Sequence, residues 1–399
     1  MALTDFKQDY ILRYQDILSK VMVGLKIAST RFESNLKFGD TVVRTVLDLS
    51  AVRVRSFTNL ADQTIDPLTD SEETMTVNVQ VGAVFPIARL EKIQAGPLNP
   101  AMTAGKEVAI KVANYLDAQI LAETRNAWAD FDTGNLTTAA ANGTPITLSS
   151  TTVPQMVAQS YAKLFSNNVA MTNTCWVLDP FSVSQIAQYP IGKDLTNVNT
   201  VFINGFTGNI FGSEVYTSNN LTGEATLVFT GSSVNSEALT IGGVTFTGVT
   251  TIGATPGNFL ASAGDSTTGI TSLAGLINAP GTTSSTQVAL SAANQILITD
   301  TLGLSAVATS TTVLTITGKG SSRLTLTEAQ TNATWATNFV HAYYGMKGAI
   351  DVAVQDQPVM EMRDEARQLT TNIFNNVVAA IKTFTDGSQK FLDVHIANA

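Results

Sequence analysis

NPAMTAGKEVAIKVANYLDAQILAETRNAW, residues 99–128, is the stretch from which the rest of the chain is read. Asn99 before Pro100 offers a helix cap with proline at the first helical position, and Thr103 is a rival cap. No proline follows before Trp128, and Gly105 is the only glycine. Val108, Val112, Tyr115, Leu116 and Ile120 recur at helical spacing and form an apolar stripe. Glu107 and Lys111 pair at the favourable four-residue step on the other side. At 1.5 Å per residue the helix is about 35–40 Å long, enough to serve as the backbone of a flat molecule.

Upstream, Thr74-Met75-Thr76-Val77-Asn78-Val79-Gln80-Val81 alternates cleanly and predicts a strand. Gly82 breaks it, and Phe85 to Ile93 returns as a second extended piece. Together they predict a long two-stranded excursion. A lone hairpin is marginal, so a protruding one implies something else to lie on. Before it runs an acidic, turn-rich stretch holding Asp62, Asp66, Asp70, Glu72 and Glu73 around Pro67. Residues 41–55 read as strand or helix-to-strand, ending in the alternating Val52-Arg53-Val54-Arg55. Residues 1–28 predict an amphipathic helix with Phe6, Tyr10, Tyr14, Ile17, Leu18, Val21 and Leu25 on one face. Packing on its own domain and reaching to a neighbour are equally open for it.

Downstream, residues 132–150 form a loop, and a second helix runs from about Val153 to Asn167. Cys175-Trp176-Val177-Leu178 is a short buried strand, and Asp179-Pro180 starts a short helix to Gln188. From about Thr222 to Asn338 the composition changes to Thr, Ser, Gly and Val, with few charges. Thr240-Ile241-Gly242-Gly243-Val244-Thr245-Phe246 is a hairpin signal, because Gly-Gly supplies the positive φ of a two-residue turn. Gln287–Leu290, Gln295–Thr299 and Val313–Thr317 also alternate, and Thr267 to Asn278 is one short helix. This is a mostly β domain inserted between two halves of another. Beyond it, Ala349 to Val354 is a strand, Arg363 to Lys382 is partly helical, and Phe391 to Ile396 is a terminal strand.

With 399 residues, 44% hydrophobic and only 14% charged, the chain is globular and long enough for two or three domains. Sparse charge on a large chain also fits surface buried against copies of itself. A net charge of -9 and a pI near 4.8 argue against a sequence-specific nucleic-acid reader, which needs clustered Lys and Arg. They allow a shell around DNA, whose acidic inner wall repels the packaged chain. Basic residues from Lys7 to Arg55 are interleaved with acids and form a solvated face. One cysteine, Cys175, permits no internal disulfide and sits in an apolar run as a core residue. No membrane span is expected. Asp5, Lys7, Asp9, Arg13 and Asp16 leave no apolar run for a signal peptide, and no trimming at either end is expected.

No catalytic constellation emerges, so no catalytic residue, metal ligand or cofactor site is assigned. His341 and His395 stand far apart without metal-ligand spacing and are expected as surface or core imidazoles. Gly205 to Gly212 lacks the lysine and helix of a phosphate loop. Gly318-Lys319-Gly320-Ser321-Ser322 lies between β runs and is a turn. The Asp62–Glu73 carboxylates lack EF-hand spacing and form a solvated acidic loop.

The order of these elements resembles the major capsid proteins of tailed bacteriophages with the HK97-like fold. Thr74 to Val79 through Arg89-Leu90-Glu91-Lys92 looks like the family's E-loop, and Val108 to Glu123 like its spine helix. Trp176-Val177-Leu178-Asp179-Pro180 is similar to its axial-domain entry. Gly208 to Leu221, with Val215-Tyr216-Thr217-Ser218-Asn219, looks like a recurrent family segment. Gly348 to Gln355 followed by Glu361-Met362-Arg363 resembles the return to the peripheral domain. The resemblance covers residues 1–221 and 339–399.

It implies an α+β fold with an N-terminal arm (1–60, with the start of the body), an E-loop hairpin (61–98), a spine helix with peripheral and axial domains (99–221), an inserted β-rich domain (222–338) and a return to the core (339–399). It implies a non-enzymatic structural protein whose pentamers and hexamers tile an icosahedral shell around double-stranded DNA, held non-specifically. Scaffolding, portal and decoration proteins are the further partners, and the virion, assembled in the host cytoplasm, is the location. The implied intersubunit contacts are Asp70, Glu72, Glu73, Arg89, Glu91 and Lys92 on the E-loop, and Phe6, Tyr10, Tyr14 and Leu18 on the arm. A tail-tube or decoration protein is the main alternative, and a secreted β-rich adhesin is a more distant one.

Overall fold

The computed structural model describes residues 22–32, 41–48, 52, 66, 69–88, 100–136, 143–170, 172–188, 206–210, 212–231, 236–261, 266–365 and 370–398. Helix α1 spans Pro100–Ala122 and passes directly into a 3-10 turn, Glu123–Asn126, short of the expected end at Trp128. Its 23 residues make it about 35 Å long. Ala109, Val112, Ala113, Leu116, Ile120 and Leu121 are buried, but Tyr115 of the expected stripe is 42% exposed. The helix turns its small residues, Ala109 and Ala113, to the core, and one residue of rotation, about 100°, carries Tyr115 away from Leu116.

Behind α1 stands a nine-stranded mixed sheet. Its spine is β15 (Ala333–Met346), whose first half pairs with β8 (Gly223–Phe229) and whose second half pairs with β5 (Thr174–Leu178). On its other edge lies β18 (Phe391–Ala397), followed by β4 (Ala129–Phe131). The sheet continues past β5 through β7 (Ser213–Thr217) and β6 (Phe206–Ile210), and past β8 through β13 (Val313–Gly318) and β12 (Leu304–Ala308). Every residue of β5 is buried, as its unbroken apolar run predicts. Trp176 stacks on Tyr344 with ring centroids 4.1 Å apart. Helices α2 (Thr152–Ser166) and α3 (Pro180–Ile186) appear where the sequence put them.

Residues Ala225 to Ala333 gather a second hydrophobic cluster of their own. It holds α4 (Ser266–Asn278) and a four-stranded sheet of β11 (Asn258–Leu260), β10 (Val244–Val249), β9 (Ala238–Ile241) and β14 (Leu326–Glu328). Gly242 and Gly243 have φ of 57° and 87° and turn β9 into β10, as Gly-Gly demands. Two expected β runs are corrected. Gln287–Leu290 carries only an isolated bridge from Gln287 to Phe259, and Gln295–Thr299 lies in a helical segment capped by Ser291. Alternation over four or five residues is too short to separate strand from helix. The cluster is not walled off either, because β8, β12 and β13 extend the nine-stranded sheet.

A separate three-stranded antiparallel sheet, whose Val79, Val352, Val377 and Ile381 join the main core, consists of β16 (Asp351–Glu365), β17 (Thr370–Lys382) and β3 (Val79–Ala88). The described residues of the stretch from Arg363 to Lys382, 363–365 and 370–382, are therefore extended, not partly helical. Its adjacent apolar pairs mimic a helical period, but β17 is bonded on both sides along its length, and pairing overrides the local pattern. The expected hairpin around Gly82 is also corrected. β2 (Thr69–Thr76) pairs with β1 (Thr41–Asp48), whereas β3 pairs with β17, with Gly82 opposite Asn376. The change of sheet falls at Asn78, whose side chain bonds Ile381 both ways, at 2.8 and 2.9 Å.

Candidate functional site

In a chain of this architecture the candidate site is a set of surfaces. Cys175, the one thiol, is buried, and burial pushes its pKa up to about 12, so it is no nucleophile. No helix among the described residues is long and apolar enough to cross a membrane.

The β1–β2 ribbon is the first surface. Its base is fixed where Val42 and Met75 pack with Ala353, Ala380 and Phe384. Arg44 reaches Asp386 at 2.6 Å and covers the Phe384 ring at 4.9 Å. Lys382 Nζ donates to the Thr74 carbonyl at 2.5 Å. Val43 is exposed at the base, and farther out Asp70, Ser71 and Glu72 are exposed. Neither edge of the ribbon pairs with a further strand among the described residues. Open edges are templates for a strand from another chain.

The sequence-predicted contacts separate on this ribbon. Asp70 and Glu72 lie opposite Leu47 and Thr45, and being two residues apart they share one face. Glu73, opposite Arg44, is tied within its own chain, its Oε1 accepting from the Thr385 amide at 3.2 Å and from the Thr385 hydroxyl. Arg89, Glu91 and Lys92, and Phe6, Tyr10, Tyr14 and Leu18, lie outside the described residues.

The second feature is the seam between the core and the 225–333 cluster. Arg125, just after α1, pairs with Glu224 at the start of β8 at 3.0 Å. Arg323, after β13, reaches Asp179 at 2.8 Å and lies over the Phe181 ring at 4.1 Å. Lys319 Nζ donates to Gln119 Oε1 at 3.3 Å. A polar cavity of about 370 Å³ lies beside the seam, lined in part by Asn78, Gln119, Glu123, Arg125, Thr222 and Lys319. These are ties between two packing units, not converging acid–base groups.

Sequence reasoning missed Asp117, Asp179 and Arg323. A signal for Asp117 was present: it is the one acid on the face that Ala113 and Ile120 bury. No local pattern marks Asp179 and Arg323 as partners, since 144 positions separate them.

No protein-family model matches this chain, and no curated protein matches its sequence. Solved structures do. The structure titled as the capsid of the cyanophage P-SCSP1u matches with TM-score 0.50 at 9% identity, over 95% of this chain and 89% of that one. A structure from Mycobacterium phage Che8 matches with TM-score 0.49 at 10% identity, over 94% and 90%. The capsid of Ralstonia phage GP4 matches with TM-score 0.44 at 9% identity, over 93% and 87%. The chain thus shares its overall α+β fold with the cyanophage capsid structure along nearly its whole length.

Proposed function

We propose that this chain is a major capsid protein of a tailed bacteriophage, a non-enzymatic subunit that self-assembles into an icosahedral shell around double-stranded DNA. The observation that carries the reading is the fold shared with a phage capsid structure over 95% of the chain. The long helix α1 and the anchored, open-edged ribbon fit a tile that overlaps its neighbours. In this reading α1 is the spine helix of an HK97-like subunit, and residues 222–338 are an insertion. The proposed E-loop, residues 61–98, then includes strand β2 of the β1–β2 ribbon, with Asp70 and Glu72 offering carboxylates to basic groups on an adjacent copy. Arg89, Glu91, Lys92 and the arm residues Phe6, Tyr10, Tyr14 and Leu18 remain proposed contacts. Pentamers and hexamers are the expected units. Scaffolding, portal and decoration proteins are proposed partners, and packaged DNA is met only by non-specific contact. The proposed location is the virion, assembled in the host cytoplasm.

Negative-stain electron microscopy of the expressed chain, alone and with the products of neighbouring genes, tests this. Closed shells or flat rings of five and six subunits are expected. Stacked rings or tubes identify a tail protein instead, and dispersed monomers under every condition overturn the assembly reading.

A further inference from the structure

His341 and His395 are the chain's two histidines, and folding makes them direct partners across β15 and β18. Their rings stand 5.1 Å apart at 82°. Between them lies Asp393, 1% exposed, with Oδ2 2.7 Å from His341 Nδ1 and 3.4 Å from His395 Nε2. Its other oxygen, Oδ1, is buried with no hydrogen-bond partner. Two more carboxylates complete the ring. Glu224 Oε2 is 3.4 Å from His341 Nε2, and Asp130 Oδ1 is 3.9 Å from His395 Nε2. Among the described residues Arg125 is the one guanidinium paired here, and its charge is taken up by Glu224. Three carboxylates against one guanidinium, with the buried Asp393 Oδ2 facing an imidazole nitrogen on either side, leave an excess of negative charge that calls for a cation.

We propose that His341, Asp393 and His395 bind one divalent transition-metal ion of the zinc class, with Asp130 as the fourth ligand on the open side. Two imidazoles in the set favour zinc, cobalt or nickel over magnesium or calcium. Ligand atoms about 2.0–2.1 Å from a tetrahedral ion lie about 3.3 Å from one another. The Asp393–His395 separation already meets this, and the Asp393–His341 pair opens by about 0.6 Å. Glu224 then accepts the remaining N–H of His341 and fixes the ring, the usual support of a metal-bound imidazole. The ligands come from β15, β18 and β4, and Glu224 from β8, so the ion cross-links the core to the start of the 225–333 unit. Its role is structural. A proton is the rival cation. Burial disfavours charge on His341, but Asp393 and Glu224 raise its pKa to about 9, so a metal ion must displace that proton.

The test uses the full chain, stripped with EDTA and then dialysed against Zn(II) or Co(II) at pH 8. We expect close to one equivalent of metal per chain by elemental analysis, visible d–d absorption with Co(II), and a Zn(II)-dependent rise of several degrees in the unfolding midpoint. His395→Gln, at a half-buried site, should fold with the same midpoint in EDTA yet retain under a tenth of an equivalent. Asp130→Asn should bind about tenfold more weakly. Wild-type chain that retains under a tenth of an equivalent, or H395Q that retains as much as wild type, overturns the proposal and leaves the proton as the cation. Because metal content is read on the chain itself, this result is independent of whether shells form.

Discussion

Ser218 Oγ donates to Asp117 Oδ2 at 3.0 Å, across 101 positions of sequence. Asn220 Nδ2 donates to the same oxygen at 2.9 Å, and the Gly24 amide donates to Oδ1 at 2.6 Å. One fully buried carboxylate thus holds the spine-like helix α1, the segment after β7 and the turn at residues 24–27. Burial pushes its pKa above the usual carboxylate range, with the bonds from Gly24, Asn220 and Ser218 pulling the other way.

Ser218→Ala removes one of these donors and leaves a buried charge less well satisfied. A loss of about 1–3 kcal/mol is expected from urea unfolding curves. A change below about 0.5 kcal/mol would mean that Asn220 and Gly24 suffice.

Arg323→Ala leaves the Asp179 carboxylate, whose side chain is 0% exposed, without its ion partner. Orphaning a buried charge costs about 3–5 kcal/mol. Arg323→Lys should recover only part of this, since a lysine does not stack its plane on Phe181. Limited proteolysis should cut R323A within residues 225–333 before the core; equal cutting in both units would deny the seam its role.

Gly345 lies in β15 opposite Phe391 of β18. A Cβ there would stand 2.2 Å from Phe391 Cβ and 2.5 Å from its Cα, both stiffly placed. Gly345→Ala is therefore expected to cost about 3 kcal/mol, the upper end for overpacking. A thermal midpoint within one or two degrees of wild type would show that the two strands separate easily.

Glu214 is held below the usual carboxylate range by hydrogen bonds from Lys347 Nζ and the Tyr216 hydroxyl, both at 2.5 Å, against the opposing effect of burial. A depressed folded-state pKa contributes stability that is present above the ordinary value of 4.5 and lost as pH falls through the lower folded value. Glu214→Gln should therefore reduce stability at pH 7 and flatten the fall between pH 5 and pH 3, seen in unfolding midpoints across that range.

Asp70 and Glu72 are exposed on the ribbon face, whereas Glu73 is engaged by Thr385. Asp70→Ala with Glu72→Ala should leave the monomer's stability within about 0.5 kcal/mol and impair shell formation or heat resistance of shells. Glu73→Ala should instead lower monomer stability by about 1 kcal/mol. The reverse pattern would place the intersubunit contact on Glu73.

Residues 100–122, 174–178 and 240–246 could be read locally because each carries its own instruction. The first has a cap, a proline and a helical stripe, the second an unbroken apolar run, and the third two glycines at positive φ. Residues 69–88 alternate throughout, so their strand character was legible but their partners were not. The period is the same whether a strand pairs with β1 or β17, and only Asn78 marks the change of sheet. The segment from Thr370 misled because its apolar pairs satisfy a helical period as well as a strand flanked on both sides.

By itself the sequence determined the α+β class, the long helix, the composition change at Thr222 and the lack of any catalytic motif. Those properties rest on local conformational preference and on what a composition can bury. Tertiary structure alone decided which strands share a sheet, that β15 joins the two packing units, and that Asp117, the Arg323–Asp179 pair and the two histidines meet their partners. The reason is distance along the chain: the Asp117–Ser218, Asp179–Arg323 and His341–Asp393 contacts span 101, 144 and 52 positions, and no local period encodes a partner so remote.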